Sequence, residues 1–193
     1  MADEANRAEG HAAPAASLPA RARLFYALWP DAPAREALSA LAERVATVTQ
    51  GRATAMQRLH LTLAFIGEVP QEKVVQLVAI GHEVAQRATA FSITLAELGM
   101  FRGAGIAWIG PSNPLAPLQQ LAADLRAALA AAGFPMETRA FRTHLTLARR
   151  CVRAVHAIEA PEISWNADSL TLMASELGAK GPSYREVERF RLR

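Results

Sequence analysis

Two kinds of apolar pattern alternate along the chain, one with the period of a strand and one with the period of a helix. The stretch "RLFYALWP", residues 23–30, concentrates aromatic and aliphatic side chains and stops at a proline, which predicts a buried strand. "DAPAREALSALAERVATV" follows, with Leu38, Leu41 and Val45 on one helical face, Asp31 placed to cap and Pro33 near the first turn. Gly51 closes that segment, and "LHLTLAFIG", beginning at Leu59, predicts a second strand. Residues 70–88, "PQEKVVQLVAIGHEVAQRA", predict another helix, and residues 91–99, "FSITLAELG", alternate as one strand.

The rest of the chain repeats the plan. "GIAWIGP" (105–111) predicts a strand, and "PLAPLQQLAADLRAALAAAG" a helix stopped by Gly133. "THLTLARR" from Thr143 predicts a strand, followed by a basic segment over 149–156 and the strand "SLTLMASEL". The closing "YREVERFRLR" alternates charged and apolar residues as an edge strand does. Each half reads as a strand with a tryptophan (Trp29, Trp108), a helix, a His-Leu-Thr-Leu strand, a helical or basic segment, and a strand. This pattern predicts an internal duplication with two similar lobes.

Composition narrows the chemistry. The chain has 193 residues, half of them hydrophobic, a net charge of +3 and a pI near 9.6. That mild basic excess suits a phosphate-bearing ligand and is weak for a dedicated duplex binder. One cysteine, Cys151, excludes an internal disulfide and fits a reducing, cytoplasmic compartment. Metal-site spacing of His and Cys is absent, and no apolar run reaches the roughly 18–20 residues of a membrane span. The Ala/Pro-rich residues 1–20 are expected as a disordered tail, with one folded domain over 21–193.

The repeated tetrapeptide carries the chemistry. Alternation along a strand points His60 and Thr62 to one side and Leu61 and Leu63 to the other, and likewise His144 and Thr146 against Leu145 and Leu147. A single histidine between leucines is more often a core residue than a catalyst. Two of only five histidines in identical settings shift the balance. With the polar faces opposed, two imidazoles supply a general acid and a general base near neutral pH, and two hydroxyls hold phosphate oxygens. No metal or other cofactor is required for that. His11, His82 and His156 have no threonine two residues on and are assigned no role.

At these residues the chain resembles the two-histidine phosphoesterases, defined by paired His-x-Thr-x motifs with hydrophobic x. More closely it resembles the bacterial RNA 2',3'-cyclic phosphodiesterases, also called 2'-5' RNA ligase-like proteins, from about Arg23 to Leu192. The resemblance implies a bilobal α+β fold, with antiparallel sheets lining a central cleft and helices outside. It implies opening of a terminal 2',3'-cyclic phosphate to a 2'-phosphate. By analogy His60 protonates the leaving 3'-oxygen, His144 activates water, and Thr62 and Thr146 bind the phosphate; read from the sequence alone, the two histidines are equivalent.

Other candidates are less specific. Arg142 and Arg149 flank the second motif as RNA phosphate contacts or as solvated strand ends. Phe101, with Arg102, is a stacking platform or a core residue. Ser175 and Tyr184 fall in segments shared with the family, where they reach the cleft or pack as ordinary strand residues. The expected partners are RNA ends or small nucleotides with a cyclic phosphate, and the expected state is a monomer without membrane contact. The alternatives are 2'-5' ligation at the same site, a nucleotide- or RNA-binding module without turnover, and a scaffold in which the repeat is structural.

Overall fold

Asp31 opens the first helix: its carboxylate accepts from the Ala34 N–H at 2.9 Å, with a proline in the first turn. This helix, α1 (Ala32–Thr49), buries Leu38, Leu41 and Val45 as the spacing predicts. The structure, a computed structural model, describes residues 18–137, 140–155, 158–178 and 181–193. The second predicted helix divides into a 3₁₀ turn (Gln71–Lys73) and α2 (Val74–Arg87). The third is α3 (Ala116–Ala131), beyond which Gly133 takes a positive φ of 81°.

The strands are β1 (Arg21–Leu28), β2 (Arg52–Ala53), β3 (Leu61–Pro70), β4 (Phe91–Leu95), β5 (Glu97–Phe101), β6 (Ile106–Gly110), β7 (Leu145–Arg149), β8 (Ile163–Ala167), β9 (Ser169–Gly178) and β10 (Gly181–Arg191). They make an α+β fold with two antiparallel sheets. One has eight strands in the order β10-β9-β1-β3-β7-β6-β5, with β2 added to β7; the other pairs β4 with β8. β10 lies at an edge, as its alternating charges predict. Strands from distant parts of the chain interleave: β9 and β10 join β1 and β3, whereas β2 joins β7. β3 and β7, the repeated strands, meet at the pair Leu61 and Leu145.

The stretch expected as one strand over 91–99 breaks at Ala96. Ile93 and Leu95 are buried on odd positions, but Leu98 and Met100 pack on even ones. A single strand cannot keep both sets on one face. The chain therefore changes sheet, and the Ala96 N–H donates to the Gly110 carbonyl at 2.9 Å.

The two faces of the large sheet do different work. Leu24, Tyr26 and Leu28 of β1 join Leu61, Leu63, Leu145 and Leu147 in the main core with the helices. Phe25 and Ala27 point the other way and form a small second cluster with Met173, Trp29 and Tyr184. β1 is thus buried on both sides, which is why its apolar run is nearly continuous.

Packing begins before β1. Leu18 is buried and the Ala20 carbonyl accepts from the Gln71 N–H at 3.0 Å. Residues 1–17 of the expected tail lie outside the described residues, as do His11 and His156. Cys151 is buried beside the Thr49 hydroxyl, 3.2 Å from its sulfur. Among the described residues no helix is long and apolar enough to cross a membrane.

Candidate active site

Each tetrapeptide contains the same irregularity. β1 pairs with β3 so that Tyr26 faces Ala64 and Ala27 faces Thr62, which leaves Leu63 as an extra residue. β6 pairs with β7 so that Ala107 faces Ala148 and Trp108 faces Thr146, which leaves Leu147 as the extra one. A bulge inverts the alternation beyond it. Leu63 and Ala64 are consecutively buried, as are Leu147 and Ala148, and the next residues, Phe65 and Arg149, emerge on the side of the threonines.

The two histidines are held alike. His60 Nδ1 lies 2.8 Å from the Arg58 carbonyl, and His144 Nδ1 lies 2.8 Å from the Arg142 carbonyl. A carbonyl only accepts, so Nδ1 carries a proton in both rings and Nε2 is the nitrogen left to exchange one. His60 Nε2 is 3.0 Å from the Thr62 hydroxyl.

Their surroundings differ. His60 lies in an aromatic recess, with ring centroids 5.1 Å from Phe25, 5.1 Å from Trp29 and 5.2 Å from Tyr184. Burial there disfavours the imidazolium, and the electrostatic influence of nearby Arg149 and His144 adds to the effect against the opposing Arg58 carbonyl. Together they push the His60 pKa down to about 4. His144 meets one ring, the edge of Phe101 at 5.1 Å.

Both histidines and both threonines open into one cavity of about 720 Å³. Arg23, Arg52, Arg58, Arg149 and Arg150 also line it, and no carboxylate does among the described residues. The Thr54 hydroxyl is buried at this wall without a protein partner among the described residues. Five guanidinium groups together with the hydroxyls of Thr62 and Thr146, and no acid among the described lining residues, make an anion site suited to phosphate. Ser175 and Tyr184 reach the cavity too, and burial pushes the Tyr184 phenol up so that it stays neutral.

The structure does not bring every candidate to that cavity. Phe101 and Arg142 line a second cavity of about 1130 Å³ that shares Thr62, Phe65 and His144 with the first. The Arg142 guanidinium stacks 4.6 Å above Trp108 and 5.6 Å from Phe101. His82 of α2 packs against Phe190 of β10, outside both cavities. Sequence reasoning passed over Arg23, Arg52, Arg58 and Arg150. A signal existed for Arg58: the repeat is Arg-x-His-Leu-Thr-Leu, with Arg58 and Arg142 each two residues before their histidine. Arg23 shares a face with Phe25, and alternation within β1 would have found it.

An α+β sheet carrying two imidazoles and an arginine-lined phosphate-sized cavity is the arrangement of a phosphoesterase, and solved structures agree. The chain superimposes on a crystal structure of a phosphoesterase at 33% identity with a TM-score of 0.79. It does so on Escherichia coli LigT complexed with 3'-AMP at 31% identity, also with a TM-score of 0.79. Each match covers 89% of this chain and 98% of the other. The RNA 2',3'-cyclic phosphodiesterase of Thermus thermophilus is 32% identical over 89% of this chain and 90% of its own length. That of Escherichia coli is 33% identical over 88% and 96%. A profile of the 2'-5' RNA ligase superfamily matches residues 29–179, and the chain belongs to that superfamily.

Proposed function

We propose that this protein hydrolyses RNA ends bearing a 2',3'-cyclic phosphate to a 2'-phosphate, with paired histidines as acid and base. The observation that carries this reading is the matched pair of imidazoles, each fixed through Nδ1, opening with two threonines and five arginines into one cavity. The names of the Thermus thermophilus and Escherichia coli relatives support the substrate class. RNA ends or small nucleotides in the cytoplasm are the proposed partners. One chain holds both motifs, so a monomer suffices.

In the proposed step, water attacks phosphorus and passes a proton to His144 Nε2. The bond from phosphorus to the 3'-oxygen breaks, and that oxygen takes a proton from His60 Nε2. Thr62, Thr146 and the arginines hold the non-bridging oxygens as charge develops. With its pKa held at about 4, His60 is neutral at pH 7 and takes up its proton from solvent as the phosphate binds. An anionic phosphate beside the ring offsets the field of Arg149 and favours the imidazolium. No metal or cofactor takes part in this scheme.

The second reading, favoured by the superfamily match, replaces water with an RNA 5'-hydroxyl and gives a 2'-5' bond. The test is incubation of the purified protein, in excess EDTA, with an oligoribonucleotide ending in a 2',3'-cyclic phosphate. A 2'-phosphate product supports the proposal. A 3'-phosphate would reverse which oxygen leaves, and binding without turnover would make this a binding module.

A further inference from the structure

We infer that the second cavity seats the nucleoside on the 5'-oxygen side of the reacting phosphate. Its occupant is the RNA that carries a free 5'-hydroxyl when a 2'-5' bond is made and that departs when one is broken. This rests on the proposed acid–base reading. Hydrolysis needs only water at that position, and water needs no cavity of about 1130 Å³.

Three observations point to a nucleoside. The cavity meets the phosphate site at Thr62, Phe65 and His144, so its contents approach phosphorus from the side of His144, the proposed base. Its walls offer base-stacking surface: Phe65 is 48% exposed, Phe101 and Phe141 face the same space, and Arg142 stands at the rim above Trp108. The surroundings also mirror those of His60. Arg58 and three aromatic rings flank one imidazole, while Arg142 and Phe101, backed by Trp108, flank the other. A phosphodiester has one nucleoside on each side of one phosphorus, and the protein has one phosphate site between two aromatic hollows edged with arginine.

The chemistry balances without a further reactant. The 5'-oxygen bonds to phosphorus and its proton goes to His144. The bond from phosphorus to the 3'-oxygen breaks, that oxygen takes the proton from His60, and the bond to the 2'-oxygen stays. The reverse sequence cleaves a 2'-5' linkage to a cyclic phosphate and a 5'-hydroxyl.

The test fills the cavity without disturbing the phosphate site. Gly103 lines the second cavity alone, and a Cβ added there meets nothing within 4 Å, so Gly103→Trp should fold. Phe141→Leu is a second, milder variant. Hydrolysis of a cyclic-phosphate oligoribonucleotide is compared with joining to a 5'-hydroxyl oligoribonucleotide and with cleavage of a 2'-5'-linked oligoadenylate. Both variants are expected to hydrolyse within about twofold of the parent while joining and cleavage fall about tenfold or more, the size of one lost stacked base. Equal losses in all three reactions, no loss in any, or a parent that hydrolyses but neither joins nor cleaves would overturn the inference. Failure of the parent to hydrolyse sinks the proposed function instead. Binding then decides the seat: a 2'-5'-linked dinucleotide held more tightly than a nucleoside 2'-phosphate, with the advantage lost in Gly103→Trp, supports it, and equal binding overturns it.

Discussion

Leu61 of β3 lies opposite Leu145 of β7, and through that pair the two repeated strands meet. Continued one residue to either side, that antiparallel register would set His60 across from Thr146 and Thr62 across from His144. Both leucines are essentially inaccessible to solvent. The pair that joins the strands therefore also fixes the spacing of the four polar groups. Leu145→Ala is expected to cost about 2–5 kcal/mol in urea unfolding. Leu129→Ala, equally buried on α3, should cost a similar amount while leaving kcat near the parent value. A kcat loss confined to Leu145→Ala identifies the pair as the gauge of the site.

The proposed acid and base predict matched losses. His60→Ala and His144→Ala should each lower kcat/KM for the cyclic phosphate by about 10²–10⁴. The double variant should be little worse than the poorer single one, because acid and base act in one step. Circular dichroism of the folded variants separates this outcome from a structural role for the repeat.

The recess around His60 predicts a pH dependence of stability. Its folded pKa of about 4 lies below the ordinary 6.5, so between those values the unfolded chain binds more protons. Stability from this group is complete above pH 6.5, declines as pH falls toward about 4, and levels off below it. The difference in urea midpoint between the parent and His60→Gln, measured from pH 7.5 to 4.5, isolates the effect. In parallel, inorganic phosphate should raise the His60 pKa as read by NMR. A pKa unmoved by phosphate would transfer the base role to His60.

Arg149 joins two measurements. Its charge disfavours the His60 imidazolium, so Arg149→Ala should raise the His60 pKa. The same change should weaken binding of a single-stranded oligoribonucleotide and reduce the slope of log K against log salt by about 0.7, the loss of one phosphate contact. Salt titration at two oligonucleotide sequences checks that the loss is sequence-independent.

Gly99 supports the opposite wall. A Cβ there would come within 2.0 Å of the Trp108 ring, which lies directly over the backbone. Gly99→Ala should destabilise the fold by about 1–3 kcal/mol and shift the tryptophan that carries Arg142. Thermal unfolding and tryptophan fluorescence report the two effects.

The sequence made the repeat, the three helices and most of the strands legible, because each has a clean period bounded by a cap, a proline or a glycine. Asp31, Pro33 and Gly133 act where their chemistry placed them. The break at Ala96 was legible only as a change from odd to even apolar positions, and a reading that follows composition runs straight through it. β2 was too short to announce itself at two residues. β8 was overlooked although Ile163, Trp165 and Ala167 alternate. The position of Arg149 was the least accessible. Strict alternation sends it away from His144, and only the bulge at Leu147 returns it to the cavity. Arg58 and Arg23 did leave local signals, the repeated arginine two residues before each histidine and the alternation that puts Arg23 on the face of Phe25.

Each imidazole takes its orientation from a carbonyl two residues earlier, in the segment that leads into its strand. In many enzymes the group that orients a catalytic base comes from a distant part of the chain, and copying the base alone leaves it adrift. Here the orienting group travels with the ring in one six-residue cassette. A duplication of a short gene segment would deliver a second imidazole already aimed, and the two copies could diverge around it, one enclosed by aromatic rings and one left open, without either losing its bearing.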